Sequence, residues 1–165
     1  MPVSLLYDLE GIDLDRVAIG REEIEAINPQ RYEFQQLTRV CYFAPEEKVI
    51  VGVRDITEDE FWVRGHLPGR PIFPGVLMLE SAAQLSTVYT AKVAGVPETY
   101  GFGGTDDVRF RKMLTIGDRL VIVARALNVT RRRSRFRTQG ICDGRVAFEA
   151  TIFGVALPSS EPGAI

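Results

Sequence analysis

The chain has 165 residues and a formal net charge of −2, and 45% of its residues are hydrophobic and 25% charged. This length and composition are typical of a single folded domain, and they exclude a disordered or fibrous protein. The small negative charge argues against a general nucleic-acid-binding domain, because such domains are usually strongly basic.

Targeting signals and metal ligands are also scarce in the sequence. No apolar run approaches the length that a bilayer requires, and the N-terminus is acidic where a signal peptide would be basic. Cys41 and Cys142 lie far apart and match no metal-ligand spacing, so we interpret them as reduced core residues. With one histidine and no cysteine cluster, we expect no metal site. We therefore predict a cytoplasmic protein whose partners include neither a membrane nor a nucleic acid.

The first half of the chain predicts a short helix and several strands. Residues 1–20 are interpreted as an N-terminal arm, and GREEIEAINP then predicts a short helix that Pro29 ends. Segments rich in β-formers predict strands over residues 34–44 and 48–56, and FWVRG is predicted as a third, brief β segment.

A long helix and a run of strands fill the second half. Residues 76–95, VLMLESAAQLSTVYTAKVAG, predict a helix buried on nearly all sides, because apolar residues surround most of its circumference. Gly95 and Pro97 are the expected signals that end it. Asp143-Gly144 is a strong hairpin signal between the last two strands. The strands predicted after the helix are 107–114, 119–129, 133–143 and 145–157.

This order of elements predicts the architecture. A large antiparallel sheet that curls around one helix buries the apolar surfaces of both. We therefore predict an α+β fold, with a long central helix wrapped by a curled antiparallel sheet. A single domain is expected over residues 21–157, followed by a C-terminal tail at 158–165.

The segment RGHLPGRPIFPGVLMLESAAQ (64–84) carries the only histidine, His66, and an isolated carboxylate, Glu80. Three prolines between them fix the backbone, so His66 should hold a defined position relative to the helix start. Gly75 stands at that start, where unpaired N–H groups and the positive end of the helix dipole can receive an oxyanion. Glu80 lies about one turn inside the helix among apolar residues, where a carboxylate needs a partner or a proton.

These three residues form a candidate base, oxyanion donor and general acid. That set is what proton abstraction next to a carbonyl requires. The alternatives are structural, since a lone histidine is usually a packing residue and a helical glutamate usually lies on the solvated face. The chemistry of the residues alone leaves both interpretations open.

The same segment resembles the signature of the β-hydroxyacyl-acyl carrier protein dehydratases, the FabZ-type branch of the hotdog fold. That family has G-H-F-P-G-x-P-x-x-P-G-V followed by a helix with E-A-x-A-Q. Residues 28–40 and 103–120 are similar to two further motifs of the family, so the resemblance covers residues 24–156. The matching positions of the signature are Gly65, His66, Pro68, Gly69, Pro71, Pro74, Gly75, Val76, Leu77, Glu80, Ala83 and Gln84.

Four positions depart from the family's residues. Leu67 replaces a phenylalanine, Gln30 replaces a histidine, and Glu33 and Ile116 each replace a proline. Leu67 is expected to reshape the substrate tunnel. The changes near Gln30 fit a different chain length, a different carrier or a diverged role. We expect none of the four to touch the acid–base pair.

The resemblance implies reversible loss of water from a (3R)-hydroxyacyl thioester on acyl carrier protein, giving a trans-2-enoyl thioester in fatty acid biosynthesis. It implies that His66 removes the α-proton and that Glu80 protonates the departing hydroxyl. Gly75 would bind the thioester carbonyl through its backbone N–H, with Val76 as the adjacent substrate-binding position. Gln84, one turn beyond Glu80, would orient the acid. No cofactor is implied, because phosphopantetheine carries the substrate.

The resemblance also bears on assembly and on subtype. Active sites of the family form between two protomers, which implies a homodimer with shared sites. Such dimers often assemble further into hexamers, as trimers of dimers. Glu80 favours simple dehydration, since the branch that also isomerises its product has aspartate at this position.

The stretch TRRRSRFR (130–137) is strongly basic. One interpretation is a hairpin turn followed by a solvated strand face, because alternate residues of a strand share a side. The other is docking of an acidic acyl carrier protein by clustered positive charge. The candidate docking residues are Arg109, Arg111, Lys112, Arg133 and Arg135.

Two other functions fit part of the pattern. A hotdog thioesterase also uses a carboxylate on the central helix, to activate water, but the proline-rich segment around His66 argues against it. A non-catalytic acyl-thioester-binding protein has no need to keep both His66 and Glu80. Release of free thiol would indicate the first, and tight acyl binding without turnover the second.

Overall fold

The computed structural model describes residues 3–95 and 100–158 of the chain. Short 3₁₀ turns lie at Tyr32–Phe34 and Pro45–Glu47. The helices are α1 (Arg21–Ile27), α2 (Phe61–Gly65) and α3 (Gly75–Ala94). The strands are β1 (Arg39–Ala44), β2 (Val49–Asp55), β3 (Tyr100–Phe110), β4 (Arg119–Val129), β5 (Arg133–Cys142) and β6 (Arg145–Ala156).

All six strands form one antiparallel sheet in the order β1-β2-β4-β5-β6-β3. Helix α3 packs across one face of this sheet, against strands β2 to β6. Alternate residues of a strand face opposite sides, so Ile50 of β2 joins the core under α3 while Val49 and Val51 face away. The predicted α+β architecture, with a long central helix against a curled antiparallel sheet, is confirmed.

Most predicted elements match the observed ones within a residue or two, because their patterns are local. Gly95 ends α3 in the left-handed conformation, whereas Pro97 and residues 159–165 lie outside the described residues. Asp143 and Gly144 both have positive φ, as a two-residue hairpin turn requires. Among the helices in the described ranges, none has the length and apolar character needed to cross a membrane.

The prediction of a strand at FWVRG was wrong, because this segment forms helix α2. Trp62 is buried, and its ring packs edge-on against Phe73 with centroids 5.5 Å apart. Its indole N–H donates to Glu60 Oε2 at 2.7 Å. These side-chain contacts outweigh the β propensity of the five residues.

Two other strand predictions were wrong in extent. Residues 34–38 are not in a strand, and β1 begins at Arg39, because the preceding loop is held against α3 by the side chain of Gln84. Strand β3 begins at Tyr100 rather than at residue 107. Its glycine-rich start has weak β propensity, but pairing with β6 compensates for that.

The N-terminal arm covers the face of the sheet opposite α3. Its residue Asp15 forms ion pairs with Arg39 and Arg119, and both arginines also pair with Asp55. Burial acts to raise the pKa of Asp55, but hydrogen bonds from Arg119 and Arg39 outweigh it and hold that pKa below its usual value. The apolar arm residues Leu6, Tyr7, Leu9, Ile12 and Leu14 pack on an outer cluster of Cys41, Val49, Val51, Val53, Val121, Val123 and Ile141.

Candidate active site

His66 follows α2 directly, and the backbone of the proline-rich segment holds its imidazole. Nδ1 lies 2.9 Å from the carbonyl oxygen of Ile72. A carbonyl oxygen only accepts hydrogen bonds, so Nδ1 carries the hydrogen and Nε2 keeps its lone pair in the neutral ring. The side chain is exposed. Nε2 is therefore available to accept a proton.

The segment that holds His66 is itself fixed to the loop after β3. Phe73 is buried and donates its backbone N–H to the Leu114 carbonyl at 2.8 Å. The Thr115 hydroxyl donates to the Pro71 carbonyl at 2.8 Å. Ile72 bridges to Thr115 in antiparallel fashion. These contacts keep the Ile72 carbonyl, and with it the imidazole, in place.

Glu80 lies in the second turn of α3 and lines a cavity of about 30 Å³ that is bounded by α3, β3, β5 and β6. Its Oε1 accepts hydrogen bonds from Gln84 Nε2 at 2.8 Å and from Gln30 Nε2 at 3.3 Å. Across residues 3–95 and 100–158, no side chain is seen to donate to Oε2. Two donors on one oxygen fix the carboxyl plane and leave Oε2 able to carry a transferable proton.

Gln84 is buried one turn beyond Glu80 and is held at both ends of its amide. Nε2 also donates to the Phe34 carbonyl at 2.6 Å, and Oε1 accepts the backbone N–H of Gln36 at 2.9 Å. Rotation of this side chain would break all three hydrogen bonds. The geometry supports an orienting role for Gln84.

Gly75 and Val76 begin α3. The N–H of Gly75 lies outside the intrahelical hydrogen-bond pattern because it belongs to the first residue. A Cβ on Gly75 would lie 2.9 Å from two ring carbons of Phe110, so this close approach favours glycine. Val76 is exposed. Neither residue lines the cavity at Glu80, and His66 does not line it either.

Within one chain, the structure thus brings Glu80 and Gln84 together but leaves the predicted base and oxyanion donor outside their cavity.

Two of the predicted docking residues lie beside that cavity. Arg133 and Arg135 are exposed on β5 and flank Ser134, which lines the cavity. The Arg135 guanidinium lies over the Phe153 ring, 5.3 Å from its centroid. Alternate residues of a strand face opposite sides, so both arginine side chains lie on the outer face of the sheet, with the strand backbone between them and the cavity.

The other three docking candidates lie further along the sheet and are in part neutralised. Arg111 forms an ion pair with Glu149, and Lys112 forms one with Asp143 at 2.6 Å. Arg109 is exposed near the end of β3, the strand at the sheet edge. The structure does not bring these three together with Arg133 and Arg135.

Sequence reasoning missed two contributors to the site. The expectation that no departure touches the acid–base pair was wrong for Gln30, which donates to Glu80. The other is Arg54, which is buried and contacts Gln36 and Glu60. Period-two alternation in VIVGVRD places Arg54 on the same face as Ile50, so the pattern contained the signal of a charge on the core side.

Comparisons with known proteins indicate the family of the chain. The FabA-like domain family matches residues 28–151. The 3-hydroxyacyl-[acyl-carrier-protein] dehydratase FabZ of Erwinia tasmaniensis is 36% identical over 134 residues, which cover 79% of this chain and 88% of that protein. The enzyme of the same name from Cronobacter sakazakii is 37% identical over the same shares.

A solved structure shares the fold. The dehydratase heterocomplex ApeI:P from Xenorhabdus doucetiae contains a chain that superposes with a TM-score of 0.71 at 16% identity. The match covers 82% of this chain and 91% of that one, and at this identity it shows the hotdog fold alone. By the family match and the identity to its curated relatives, the chain belongs to the FabA-like family and to its FabZ-type 3-hydroxyacyl-[acyl-carrier-protein] dehydratases.

Proposed function

We propose that the protein removes water from (3R)-hydroxyacyl thioesters on acyl carrier protein, giving trans-2-enoyl thioesters for fatty acid biosynthesis. His66 Nε2 takes the α-proton while the N–H of Gly75 stabilises the charge that develops on the thioester oxygen. The C–H electron pair becomes the new C=C bond. Glu80 Oε2 gives its proton to the C3 hydroxyl, which leaves as water. His66 then loses its proton and Glu80 regains one, so the cycle needs no cofactor.

The observation that supports this proposal is that the His66 ring and the Glu80 carboxyl are each held by hydrogen bonds at one atom, while the other polar atom remains available for proton transfer. His66 is held at Nδ1 by Ile72, and Glu80 at Oε1 by two amides. A base and an acid fixed in this way can direct proton transfer. The similarity to curated dehydratases favours this function over a thioesterase or an acyl-binding protein.

The activity test uses crotonyl thioester on phosphopantetheine or on acyl carrier protein. Hydration would remove the near-ultraviolet absorbance of the enoyl thioester in the wild type, but not in His66→Ala or Glu80→Gln. Glu46→Gln, an exposed residue on the 3₁₀ turn before β2, is the control and should keep full activity. Release of free thiol would indicate a thioesterase instead, and acyl binding without any spectral change would indicate a binding protein.

We propose further that a second copy of the chain completes the site. Strand β3 is an 11-residue edge strand that exposes Phe102 and Phe110. Exposed strand edges with apolar side chains are suited to pairing, and homodimers pair identical surfaces about a two-fold axis. In such a homodimer, His66 of one chain would serve Glu80 of the other, which accounts for their separation within one chain.

Mixing inactive variants tests the shared site. Equal amounts of His66→Ala and Glu80→Gln chains, refolded together, should recover about a quarter of the wild-type activity, because half of the dimers are mixed and each has one intact site. No recovery in mixed dimers would contradict the shared site. Sedimentation of the wild type then distinguishes a dimer from the proposed trimer of dimers.

Acyl carrier protein is the proposed partner, and Arg133 and Arg135 are its favoured docking residues. Their charges lie on the outer face of β5, behind the cavity residue Ser134, and can attract an acidic carrier. Arg133→Glu/Arg135→Glu should raise KM for the carrier-bound substrate and spare a carrier-free thioester. Arg145→Glu, exposed at the far end of β6, should change neither value. Equal effects on both substrates would contradict docking at this pair.

We place the protein in the cytoplasm, because both cysteines are free and buried. Burial raises the pKa of the Cys41 thiol to about 11, so this residue is poorly suited to form a disulfide. Fractionation of cells that express the chain would test the location.

A further inference from the structure

We infer that Arg54 is a positioning residue that ties the His66 segment to Glu80 within each chain. It lies on β2, on the face of the sheet that packs against α3. One side of its guanidinium contacts the elements that hold His66, and the other begins a hydrogen-bonded path to Glu80. This inference rests on the proposed dehydratase function.

The contacts toward His66 run through α2 and the proline-rich segment. Arg54 Nη2 pairs with Glu60, the residue that precedes α2. The Trp62 indole N–H donates to the same carboxylate oxygen, Oε2, at 2.7 Å. The Arg54 guanidinium carbon also lies 5.5 Å from the centroid of the Phe73 ring. Trp62 and Phe73 pack together, so one arginine fixes both stretches of chain that flank His66.

The contacts toward Glu80 form a continuous path. Arg54 Nε donates to Gln36 Oε1 at 3.3 Å. The backbone N–H of Gln36 donates to Gln84 Oε1 at 2.9 Å, and Gln84 Nε2 donates to Glu80 Oε1 at 2.8 Å. The first two links join parts of the chain that are distant in sequence, and the last joins successive turns of α3. Displacement of Arg54 would therefore be transmitted to the carboxyl plane of Glu80.

Stability alone is a weak reason for this arrangement. Taking a charged pair out of water costs several kcal/mol, and well-packed apolar residues of similar volume are often as stable. Arg54 and Glu60 each have side chains that are only 11% exposed. What an apolar pair would not supply is directed hydrogen bonding to Trp62 and Gln36 at once. Orientation of the two proton-transfer groups is the property that this pair adds.

In the proposed homodimer, His66 and Glu80 of one chain belong to different active sites. One Arg54 would then support the base of one site and the acid of the other. Its loss should affect turnover more than substrate binding, because no Arg54 atom lines the cavity at Glu80.

Arg54→Met tests the inference. We expect kcat to fall by about tenfold or more and KM to change by less than about twofold, because the reacting groups lose alignment and the binding surface stays intact. Arg54→Lys keeps a charge beside Glu60 but lacks the planar fork that also reaches Gln36, so it should recover only part of the turnover. Recovery by lysine is a result that a purely volumetric role would not produce.

Arg39→Met is the matched control. Arg39 also has a side chain that is 11% exposed and pairs with carboxylates, but those lie toward the arm, on the other face of the sheet. It should lower Tm and leave kcat within about twofold. Gln36→Met leaves the contacts of Arg54 with Glu60 and Phe73 intact, removes the acceptor of Arg54 Nε and also loses the hydrogen bond from Gln36 Nε2 to the Glu33 carbonyl. It serves as the test if Arg54→Met fails to fold.

The outcomes separate the inference from the function on which it rests. Equal losses of kcat in Arg54→Met and Arg39→Met, or full kcat in both Arg54→Met and Gln36→Met, would overturn the positioning role. No turnover by the wild type would overturn the dehydratase proposal instead. In that case hydrogen exchange of the Gln36 amide decides, since it should be faster in Arg54→Met than in the wild type and an unchanged rate would refute the link.

Discussion

Replacing Gln84 by methionine removes the hydrogen bonds of its amide and keeps most of the side-chain volume, so it tests whether those bonds orient Glu80. Methionine has a similar shape but no amide, so Glu80 Oε1, the Phe34 carbonyl and the Gln36 N–H each lose a partner. A buried hydrogen bond contributes about 1 kcal/mol to stability, so three predict a loss of about 3 kcal/mol. For a domain of this size, that loss lowers Tm by about 6–12 °C.

Turnover by the same variant should fall further than its stability suggests. Glu80 becomes a charged carboxylate as it gives up its proton, and a hydrogen bond to a charged group is worth about 1.5–3 kcal/mol. Each 1.4 kcal/mol corresponds to about a tenfold change in rate. We therefore expect Gln84→Met to lower kcat about 10- to 100-fold, with KM little changed. The assay is the loss of enoyl absorbance with carrier-bound crotonyl thioester, well below the Tm of the variant.

Gln139→Met is the control for this prediction. Gln139 is 3% exposed, against 1% for Gln84, and its amide bonds to Ser4 and Leu6 of the arm, away from the cavity. It should lower Tm by about 4–8 °C and leave kcat within about twofold of the wild type. The orienting role is refuted if Gln84→Met keeps wild-type kcat, or if both variants lose kcat equally.

Three further predictions concern the helix start, an ion pair and the arm. Gly75→Ala should lower kcat about tenfold, because its Cβ would meet the Phe110 ring at 2.9 Å and move the N–H. The Gly75→Ala/Phe110→Ala double variant should then match Phe110→Ala alone, and a further loss of kcat in the double variant would contradict this cause. The pKa of Asp55 is lowered in the folded state, so its ion pairs stabilise the fold fully above the unfolded-state pKa of about 3.9. This stabilisation is lost as pH falls through the folded-state pKa. The difference in Tm between the wild type and Asp55→Asn should therefore shrink below about pH 4, and equal differences at neutral and acid pH would contradict the prediction. Deletion of residues 1–15 exposes the outer apolar cluster, so Tm should fall by about 5–10 °C. Binding of a hydrophobic dye should rise, and kcat should stay unchanged. An unaltered Tm would show that the arm does not stabilise the sheet.

Local patterns in the sequence were enough for the main architecture. The apolar run of α3 and the alternating strands β4 to β6 encode their structure within neighbouring residues, which is why their predicted bounds match the observed ones. The candidate acid and base were identified because the Pro- and Gly-rich segment resembles the family signature. The sequence by itself thus determined the fold class and the family.

The tertiary structure decided how the candidate groups are held. Gln30 reaches Glu80 across 50 residues of chain, and no local pattern encodes such a contact. Helix α2 forms despite the β propensity of FWVRG because Trp62 packs against Phe73 and donates a hydrogen bond to Glu60. The tautomer of His66 depends on a carbonyl that the loop at Leu114 holds in place. Propensity and periodicity act over a few residues, whereas orientation of a catalytic atom depends on hydrogen bonds between segments that only the folded chain brings together.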